Sequence, residues 1–116
     1  MRRRSLVLVL VLALLPAGAL AHHGWSHYDQ DAPLTLTGTV KAVGYEHPHG
    51  HVDLAVDGTL WQVVLAPPSR MQRRGLAREA LLPGITATVV GYRHREHANE
   101  LRAETITIDG KTTELR

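Results

Sequence analysis

The sequence predicts an all-β fold with one short helix, and two observations carry that prediction. Five short segments alternate between apolar and polar residues or are rich in Val, Ile and Thr, which is typical of β-strands. One helical stretch lies between the third and the fourth of these segments. Three strands, a helix and two strands is the order of a small OB-like five-stranded barrel, in which the helix closes one end. A small five-stranded β-sandwich is the alternative that the same pattern allows.

The sequence marks the turns and ends of these elements. Gly38 lies inside the first strand and predicts a bulge or a sharp bend. Asp57 and Gly58 predict a hairpin turn between the second and third strands. The helix is expected between Ser69, which could cap it, and Leu82, which precedes a Pro-Gly pair. The predicted strands cover residues 34–43, 51–56, 60–65, 85–92 and 101–108, and residues 111–116 are expected to form a tail.

Residues 1–21 contain the three parts of a secretory signal peptide in the usual order. Arg2, Arg3 and Arg4 precede an apolar run over residues 5–15, and Ala19-Leu20-Ala21 is a small-x-small cleavage site. The apolar run is shorter than the ~20 residues that a membrane-spanning helix needs, so no membrane span is expected after cleavage. A short, Arg-rich leader of this type is bacterial, and it predicts a periplasmic protein. The chain has no Cys, which excludes disulfides and a lipid-modified cysteine.

Cleavage would leave about 95 residues, enough for one domain with one modest core. Residues 22–33 are polar and lack periodicity, so they are expected to form an N-terminal His-rich arm, and residues 34–116 the barrel domain. Without the leader the chain has ten Lys and Arg against eleven Asp and Glu. No nucleic-acid partner is expected, because nucleic-acid-binding domains usually carry a basic face.

Histidine is the most informative residue type of the chain. All eight His lie outside the leader, and imidazole is the commonest metal ligand in proteins. In an extended chain, residues two apart project to the same face. The i, i+2 spacing of His47, His49 and His51 therefore predicts a set of metal ligands on one strand. The candidate metal ligands are His22, His23, His47, His49 and His51.

Cleavage after Ala21 would also make His22 the N-terminal residue. Its α-amine, with a pKa of about 7.7–8.0, and its imidazole could then chelate one ion together. A nitrogen-rich set suits Cu(II), with Zn(II) as the second choice. We expect His22 and at least one of the other candidate ligands to converge at one edge of the barrel. His94 and His97 are flanked by charged residues and are expected to lie in a solvated loop.

The remaining residues give little support for catalysis. The sequence contains no His-Glu-x-x-His motif, no Gly-x-Ser-x-Gly motif, no phosphate-binding loop and no dinucleotide fingerprint. The first hypothesis is therefore a non-enzymatic periplasmic binding protein for copper or zinc. The second is a metal-free module that binds another envelope protein, and an enzyme of unknown reaction is the third.

Short motifs recur along the chain in the order Ala21-His22-His23, Tyr28-Asp29, Leu36-Thr37-Gly38-Thr39-Val40, Pro48-His49, Pro68-Ser69, Arg74-Gly75-Leu76, Leu82-Pro83-Gly84-Ile85, Thr88-Val89 and Ile108-Asp109-Gly110. In this order they resemble the motifs of the domain-of-unknown-function family 6152, small exported bacterial proteins. His47 stands where the family often has Asn, which adds a possible ligand. The resemblance implies a periplasmic, barrel-like domain and no established activity.

The leader predicts a mature chain that begins at His22. N-terminal sequencing of the exported protein should therefore read His-His-Gly-Trp. A first residue of Leu20 or Trp25 would contradict the cleavage site and would remove the amine-plus-imidazole chelate.

Overall fold

A computed structural model describes residues 23–116, and the side chain of His23 lies outside this description. The elements are α1 (His23–Ser26), β1 (Tyr28–Gly44), β2 (His51–Val56), β3 (Thr59–Val64), α2 (Pro68–Arg73), a 3-10 turn (Arg78–Ala80), β4 (Thr86–His94), β5 (Glu100–Ile108) and β6 (Lys111–Glu114). No helix among the described residues has both the length and the apolar character needed to cross a membrane.

The six strands form one sheet in the order β3-β2-β1-β4-β5-β6, and an additional pairing joins β3 to β5. That pairing is parallel, whereas all the other pairs are antiparallel. It turns the sheet into a ring of five strands, β1-β2-β3-β5-β4, with β6 added outside β5. The predicted OB-like, all-β fold with a short helix is confirmed.

One set of apolar side chains fills the ring, and it comes from alternate positions of the strands. Val40, Leu54, Val63 and Val89 are fully buried. In β5 the alternation changes phase, because Leu101 and Ala103 are buried and so is Ile106. The register between β4 and β5 shifts at Val90/Gly91, which inserts one unpaired residue and reverses the faces of β5. Because of this shift, the sequence pattern alone does not show which face of β5 points inward.

The helical region lies where the sequence places it, but it is broken in two. α2 ends at Arg73, and Gly75 follows with a φ of +84°, a left-handed conformation that glycine adopts without strain. Two basic residues of this region bind backbone carbonyls elsewhere in the domain. The guanidinium of Arg70 donates to the carbonyl of Leu115, and that of Arg78 donates to the carbonyl of Tyr45. These bonds fasten the helix to the rest of the domain.

Three boundaries differ from the sequence prediction. β1 begins at Tyr28, six residues before Leu34, so only the first part of the expected arm precedes the sheet. The four-residue helix α1 was not expected, and β6 replaces the expected tail. Asp29, Gln30 and Asp31 are polar because this stretch of β1 is mostly exposed, and an exposed edge has no apolar alternation to detect. The predicted signal peptide, residues 1–21, lies outside the described residues.

Gly38 does not form the predicted bulge. The register shift against β2 lies between Val40 and Ala42, further along the strand. The backbone carbonyl of Ala55 instead approaches Gly38 so closely that a Cβ there would overlap its oxygen. Glycine is thus needed for close strand approach, the other role of glycine in strands.

Replacing Gly38 by alanine should therefore destabilise the fold. A Cβ would force β1 away from β2, and overpacking of this kind costs about 1–3 kcal/mol of unfolding free energy. Urea unfolding of Gly38→Ala measures the loss. Thr35→Ala, at an exposed position of the same strand, should change the unfolding free energy by less than about 0.5 kcal/mol. Equal stability of the two variants would contradict the close approach.

Candidate metal centre

Two histidines and one glutamate meet where β4 turns into β5. His94 is the last residue of β4, Glu100 is the first residue of β5, and His97 lies in the loop between them. One ligand atom from each of the three side chains lies within 4.8 Å of the other two. Among the described residues, no other group of three or more His, Asp or Glu side chains brings its potential ligand atoms this close together.

His94 is held in one tautomer by the turn that follows it. Its Nδ1 accepts hydrogen bonds from the backbone N–H groups of Glu96 and His97, both at 3.0 Å. A neutral imidazole has one N–H, so the proton of His94 lies on Nε2. That nitrogen is 3.8 Å from Oε2 of Glu100, and the side chain of His94 is only 8% exposed. The structure thus corrects the prediction of a solvated loop at this residue.

His97 completes the group from the solvent side. Its ring stacks on that of His94 with centroids 4.0 Å apart and an interplanar angle of 6°. Its Nδ1 is 3.4 Å from Oε1 of Glu100, and because a carboxylate only accepts, Nδ1 carries the proton. The side chain of His97 is 65% exposed, so it can turn without disturbing the core.

Tyr28 fixes the carboxylate beside the two stacked imidazoles. Its hydroxyl donates to Oε2 of Glu100 over 2.5 Å. Burial and this hydrogen bond raise the pKa of Tyr28, so it stays protonated and keeps donating. Its ring also meets that of His94 edge to face, with centroids 5.0 Å apart. Tyr28 therefore determines the positions of both Glu100 and His94.

A third imidazole extends the stack. The ring of His27 lies parallel to that of His94, with an interplanar angle of 2° and centroids 5.9 Å apart. The backbone N–H of Arg95 donates to the carbonyl of His27 over 2.9 Å, which ties the start of β1 to the β4–β5 loop. His27, His94 and His97 therefore lie in one column at this corner of the fold.

A groove of about 490 Å³ adjoins the same corner. The β3–β5 pairing places Gln62 opposite Glu100, and the β2–β3 pairing places Asp53 opposite Gln62. The loop before β2 forms the other wall. Glu100 therefore lies against the histidine column on one side and lines this groove on the other. The lining consists of Pro48, His49, Gly50, His51, Asp53, Gln62, Val63, Val64 and Glu100.

The structure does not gather His47, His49 and His51 into one ligand set. Residues 45–50 form a loop, which contains a cis peptide bond before Pro48, and β2 begins only at His51. The two-residue alternation of an extended strand therefore does not apply to them. His47 and His51 are exposed, and the ring of His51 packs against Gly44.

His49 turns inward to a buried arginine. A guanidinium only donates, so Nη2 of Arg102 donates to Nε2 of His49, over 3.3 Å. Arg102 is 8% exposed, and its Nε lacks a hydrogen-bond partner among the described residues. Burial first, and then the charges of Arg102 and Arg70, lower the pKa of His49. His49 is therefore a neutral acceptor for Arg102 in this structure.

The N-terminal segment reaches the same arginine. Two guanidinium groups lie over the ring of Trp25, with Cζ of Arg102 4.2 Å and Cζ of Arg116 4.3 Å from the ring centroid. Gly24 lies so close to Nη1 of Arg102 that a Cβ there would overlap it. Arg102 thus contacts α1 with one side of its guanidinium and His49 with the other. His22 and the side chain of His23 lie outside the described residues, and their role as ligands stays a prediction.

The spacing of His94, His97 and Glu100 in the sequence is itself an indication of this group, although the sequence-based prediction placed the two histidines in a solvated loop. His94, His97 and Glu100 are spaced by three residues, and Asn99, with a φ of +58°, lies just before the last of them. Asn is one of the few residues that adopts this conformation easily, so it marks a tight turn. A tight turn folds residues three and six apart onto each other. The flanking charges suggested solvent instead.

The sequence profile of the family of unknown function DUF6152 matches residues 10–102. The chain belongs to this family. Comparison with curated proteins gives no match. The resemblance noted in the sequence is thereby confirmed.

Solved structures show a similar fold at low sequence identity. The Stn1–Ten1 complex of S. pombe matches with a TM-score of 0.53 and 15% identity, over 66% of this chain and 57% of that one. A complex of TiaS with a tRNA and ATP matches with a TM-score of 0.52 and 20% identity, over 76% of this chain and 19% of that one. A ZRD-deleted mutant of TiaS in complex with agmatine matches with a TM-score of 0.51 and 20% identity, over 76% of this chain and 25% of that one. The chain thus spans little more than half of the first and a quarter or less of the other two, and the likeness concerns the fold.

His49 should make the stability of the fold depend on pH. Its pKa in the folded chain lies below the ordinary value of 6.5, so the unfolded chain binds the proton more tightly. The contribution to stability is complete above about pH 6.5 and is lost as the pH falls through the folded pKa. Urea unfolding of the wild type and of His49→Gln at about pH 7.5 and about pH 5 measures this contribution. His49→Gln should lose less stability than the wild type between these two pH values.

His47→Gln is the matched control, because His47 lies exposed in the same loop. It should retain the pH dependence of the wild type. An unchanged pH dependence in His49→Gln would show that burial and the neighbouring arginines do not lower the pKa of His49 in the folded chain.

Proposed function

We propose that this protein is a non-enzymatic periplasmic binding protein for a transition metal ion, with His94, His97 and Glu100 as ligands. The observation that carries the proposal is their mutual approach to within 4.8 Å at the junction of β4 and β5. Two imidazole nitrogens and one carboxylate oxygen are donors that Cu(II) and Zn(II) both accept. The candidate leader, residues 1–21, would bring the domain to the periplasm.

The ion would take the place of two protons. Nε2 of His94 and Nδ1 of His97 both direct an N–H towards the carboxylate of Glu100. A metal bound at these nitrogens moves each proton to the other nitrogen of its ring. The exposed His97 can hand its second N–H to water. Glu100 supplies the negative charge that the ion needs.

Two local rearrangements accompany binding. Parallel rings 4.0 Å apart cannot both direct an in-plane lone pair at one ion, so the exposed His97 has to leave the stack. His94 has to give up the two backbone hydrogen bonds to its Nδ1. Two such bonds are worth about 1–3 kcal/mol together, which is small beside the ~8 kcal/mol of a micromolar metal site. The turn at residues 95–97 therefore opens when the ion binds.

Copper is the first choice of metal and zinc the second. For a given set of nitrogen and oxygen ligands, Cu(II) binds more tightly than Zn(II). The set also lacks the thiolates and the fourth protein ligand of a structural zinc site among the described residues.

Electrostatics favours this group over the loop histidines. Glu100 lies close to one ring nitrogen of His94 and one of His97, whereas His49 lies against the buried cation Arg102. A divalent ion about 5 Å from a guanidinium is repelled by roughly 7 kcal/mol at an effective dielectric constant of about 20. A metal at His49 would meet that repulsion and would also break its hydrogen bond to Arg102.

The N-terminal ligands of the sequence prediction form a second candidate set. Gly24 and Trp25 lie against Arg102, which holds His49 on its other side. This contact supports the expected approach of His22 and His23 to the loop before β2. An amine-plus-imidazole chelate at His22 would then lie near His49, and it binds its ion without needing His94 or His97.

Nucleic acid is a weaker choice of ligand. The similar structures include a complex with tRNA, but ten basic residues against eleven acidic ones give residues 22–116 no excess of positive charge. Four of those basic residues, Arg70, Arg74, Arg78 and Arg102, are bound to backbone carbonyls or to His49. An envelope-protein module without a metal is the competing function.

Calorimetric titration of the protein with Cu(II) and Zn(II) tests the ligand set. His97→Ala and Glu100→Gln should each weaken Cu(II) binding more than about tenfold, since even the loss of a residue that only orients a metal ligand costs about 10–100-fold. His47→Ala is the matched control and should bind like the wild type. Binding no tighter than that of a scrambled His-rich peptide would favour the metal-free module.

Amide NMR separates the two ligand sets. Binding at His94 should shift the amide resonances of Glu96 and His97, because they lose their acceptor at Nδ1. Copper broadens nearby signals, so Zn(II) is the ion to use. Unmoved resonances at these two amides, with shifts only at Gly24 and Trp25, would assign the ion to the N-terminal set.

A further inference from the structure

Arg102 is a buried cation that the proposed metal site does not use. It is 8% exposed, and its Nε lacks a hydrogen-bond partner among the described residues. We propose that Arg102, together with Arg70 and Arg116, binds a small tetrahedral oxyanion, either inorganic phosphate or the phosphate group of an ester, beneath the N-terminal segment. This site needs no metal ion, so the inference goes beyond the proposed function.

Most of the hydrogen-bond donors of Arg102 have no acceptor. A guanidinium carries five N–H groups and accepts no hydrogen bond. Within residues 23–116, the one hydrogen bond of this side chain runs from Nη2 to Nε2 of His49, over 3.3 Å. Buried donors without an acceptor are costly, and those of a charged group are the most costly. The guanidinium therefore has several N–H groups that an acceptor with several oxygens could use.

The charge of Arg102 is not neutralised by an ion pair either. None of the ion pairs within the described part of the chain includes it. The acids two residues away on β5, Glu100 and Glu104, each accept a tyrosine hydroxyl. Burial lowers the pKa of Arg102, and the nearby charges of Arg70 and Arg116 act in the same direction. Because a buried charge needs a partner of opposite sign, this environment favours an anion.

Two further guanidiniums bring positive charge to the same place. Arg116 and Arg102 both lie over the ring of Trp25, within 4.3 Å of its centroid. Nη1 of Arg70 donates to the backbone carbonyl of the residue before Arg116, which brings the third guanidinium to the chain end beside this ring. Glu104 lies 3.7 Å from Arg116 and offsets one of the three charges. The excess of positive charge that remains suits a phosphate dianion better than a monoanion.

The N-terminal segment covers Arg102. A Cβ on Gly24 would overlap Nη1, and the ring of Trp25 lies over the guanidinium. The helix α1 has four residues and precedes β1, so it can move aside without breaking a strand pair. The two parallel N–H groups of Nε and Nη2 match two oxygens of a phosphate. Nη2 has a second N–H, so its bond to His49 can remain when the anion binds.

The Nε–H resonance of Arg102 reports binding directly. In the proton–nitrogen NMR spectrum of the full-length mature protein, freed of metal with a chelator, this is the arginine resonance that Arg102→Lys removes. It should move in a saturable way as inorganic phosphate is added, because Nε gains an acceptor. Chloride at the same ionic strength should not move it. Methyl phosphate distinguishes the two sources: binding as tight as that of phosphate assigns the group of an ester, and no binding assigns the free ion.

Calorimetry with phosphate measures the part of each guanidinium. Arg102→Lys should weaken binding more than about tenfold, since Lys keeps the charge but loses the paired N–H groups. Arg116→Gln, at an exposed position, should weaken it about two- to five-fold and tests the site without altering a buried residue. Arg93→Gln is the matched control and should bind like the wild type. Arg93 is exposed on β4 and lies over the other tryptophan ring, Trp61.

Three outcomes would overturn the anion site. They are an unmoved Nε–H resonance of Arg102 in the presence of phosphate, the same movement with chloride, and equal phosphate affinities in Arg116→Gln and Arg93→Gln. Since every measurement uses metal-free protein, these outcomes leave the Cu(II) site to its own test. Loss of Cu(II) binding in the wild type would likewise leave the anion site standing.

Discussion

Three residue pairs between β3 and β5 close the ring of strands, and the arrangement of the histidine-rich corner depends on them. Gln62 pairs with Glu100, Val63 with Leu101 and Val64 with Arg102. The first pair places Glu100 between the imidazoles of the β4–β5 loop and the groove on the β2–β3 face. The last pair places Arg102 beside the loop that carries His49. Without this closure, β5 would pair only with β4 and β6. The strand that contacts His94 and His97 through Glu100 would then not contact His49 through Arg102.

The two charged residues of β5 give the two histidine groups opposite properties. Glu100 and Arg102 are two residues apart, and one is an anion while the other is a buried cation. The imidazoles beside Glu100 each direct an N–H at a carboxylate, which is an arrangement that a cation can replace. The imidazole beside Arg102 accepts a hydrogen bond and has a lowered pKa, which is an arrangement that excludes a cation. The strand thus separates a corner suited to metal from a corner that fastens the N-terminal segment through Trp25.

The fold could be predicted from the sequence more completely than the site. Several features of the fold depend only on residues that are close together in the sequence, and such patterns can be recognised from the sequence alone. They are the alternation in β2, β3 and β4, the Asp57-Gly58 turn and the position of the helix. The polar start of β1 and the phase change in β5 were missed, since an exposed edge and a bulge both break the alternation. For the candidate site, the histidine content pointed to the residue type, but the grouping of His94, His97 and Glu100 depends on a tight turn at Asn99 and on Tyr28, which is 72 residues from Glu100. The stretch from His47 to His51 has the spacing of a strand and forms a loop instead, so its imidazoles are not aligned.

A bound ion is expected at one location, and anomalous diffraction measures that location directly. Crystals of the mature protein grown with one equivalent of Cu(II) should show a single anomalous peak at the copper edge, within about 2.0–2.2 Å of Nε2 of His94, Nδ1 of His97 and Oε1 of Glu100. The stack of the His94 and His97 rings should be open in that structure. A peak only beside His49 and the N-terminal residues, or no peak at the β4–β5 junction, would contradict the proposed metal site.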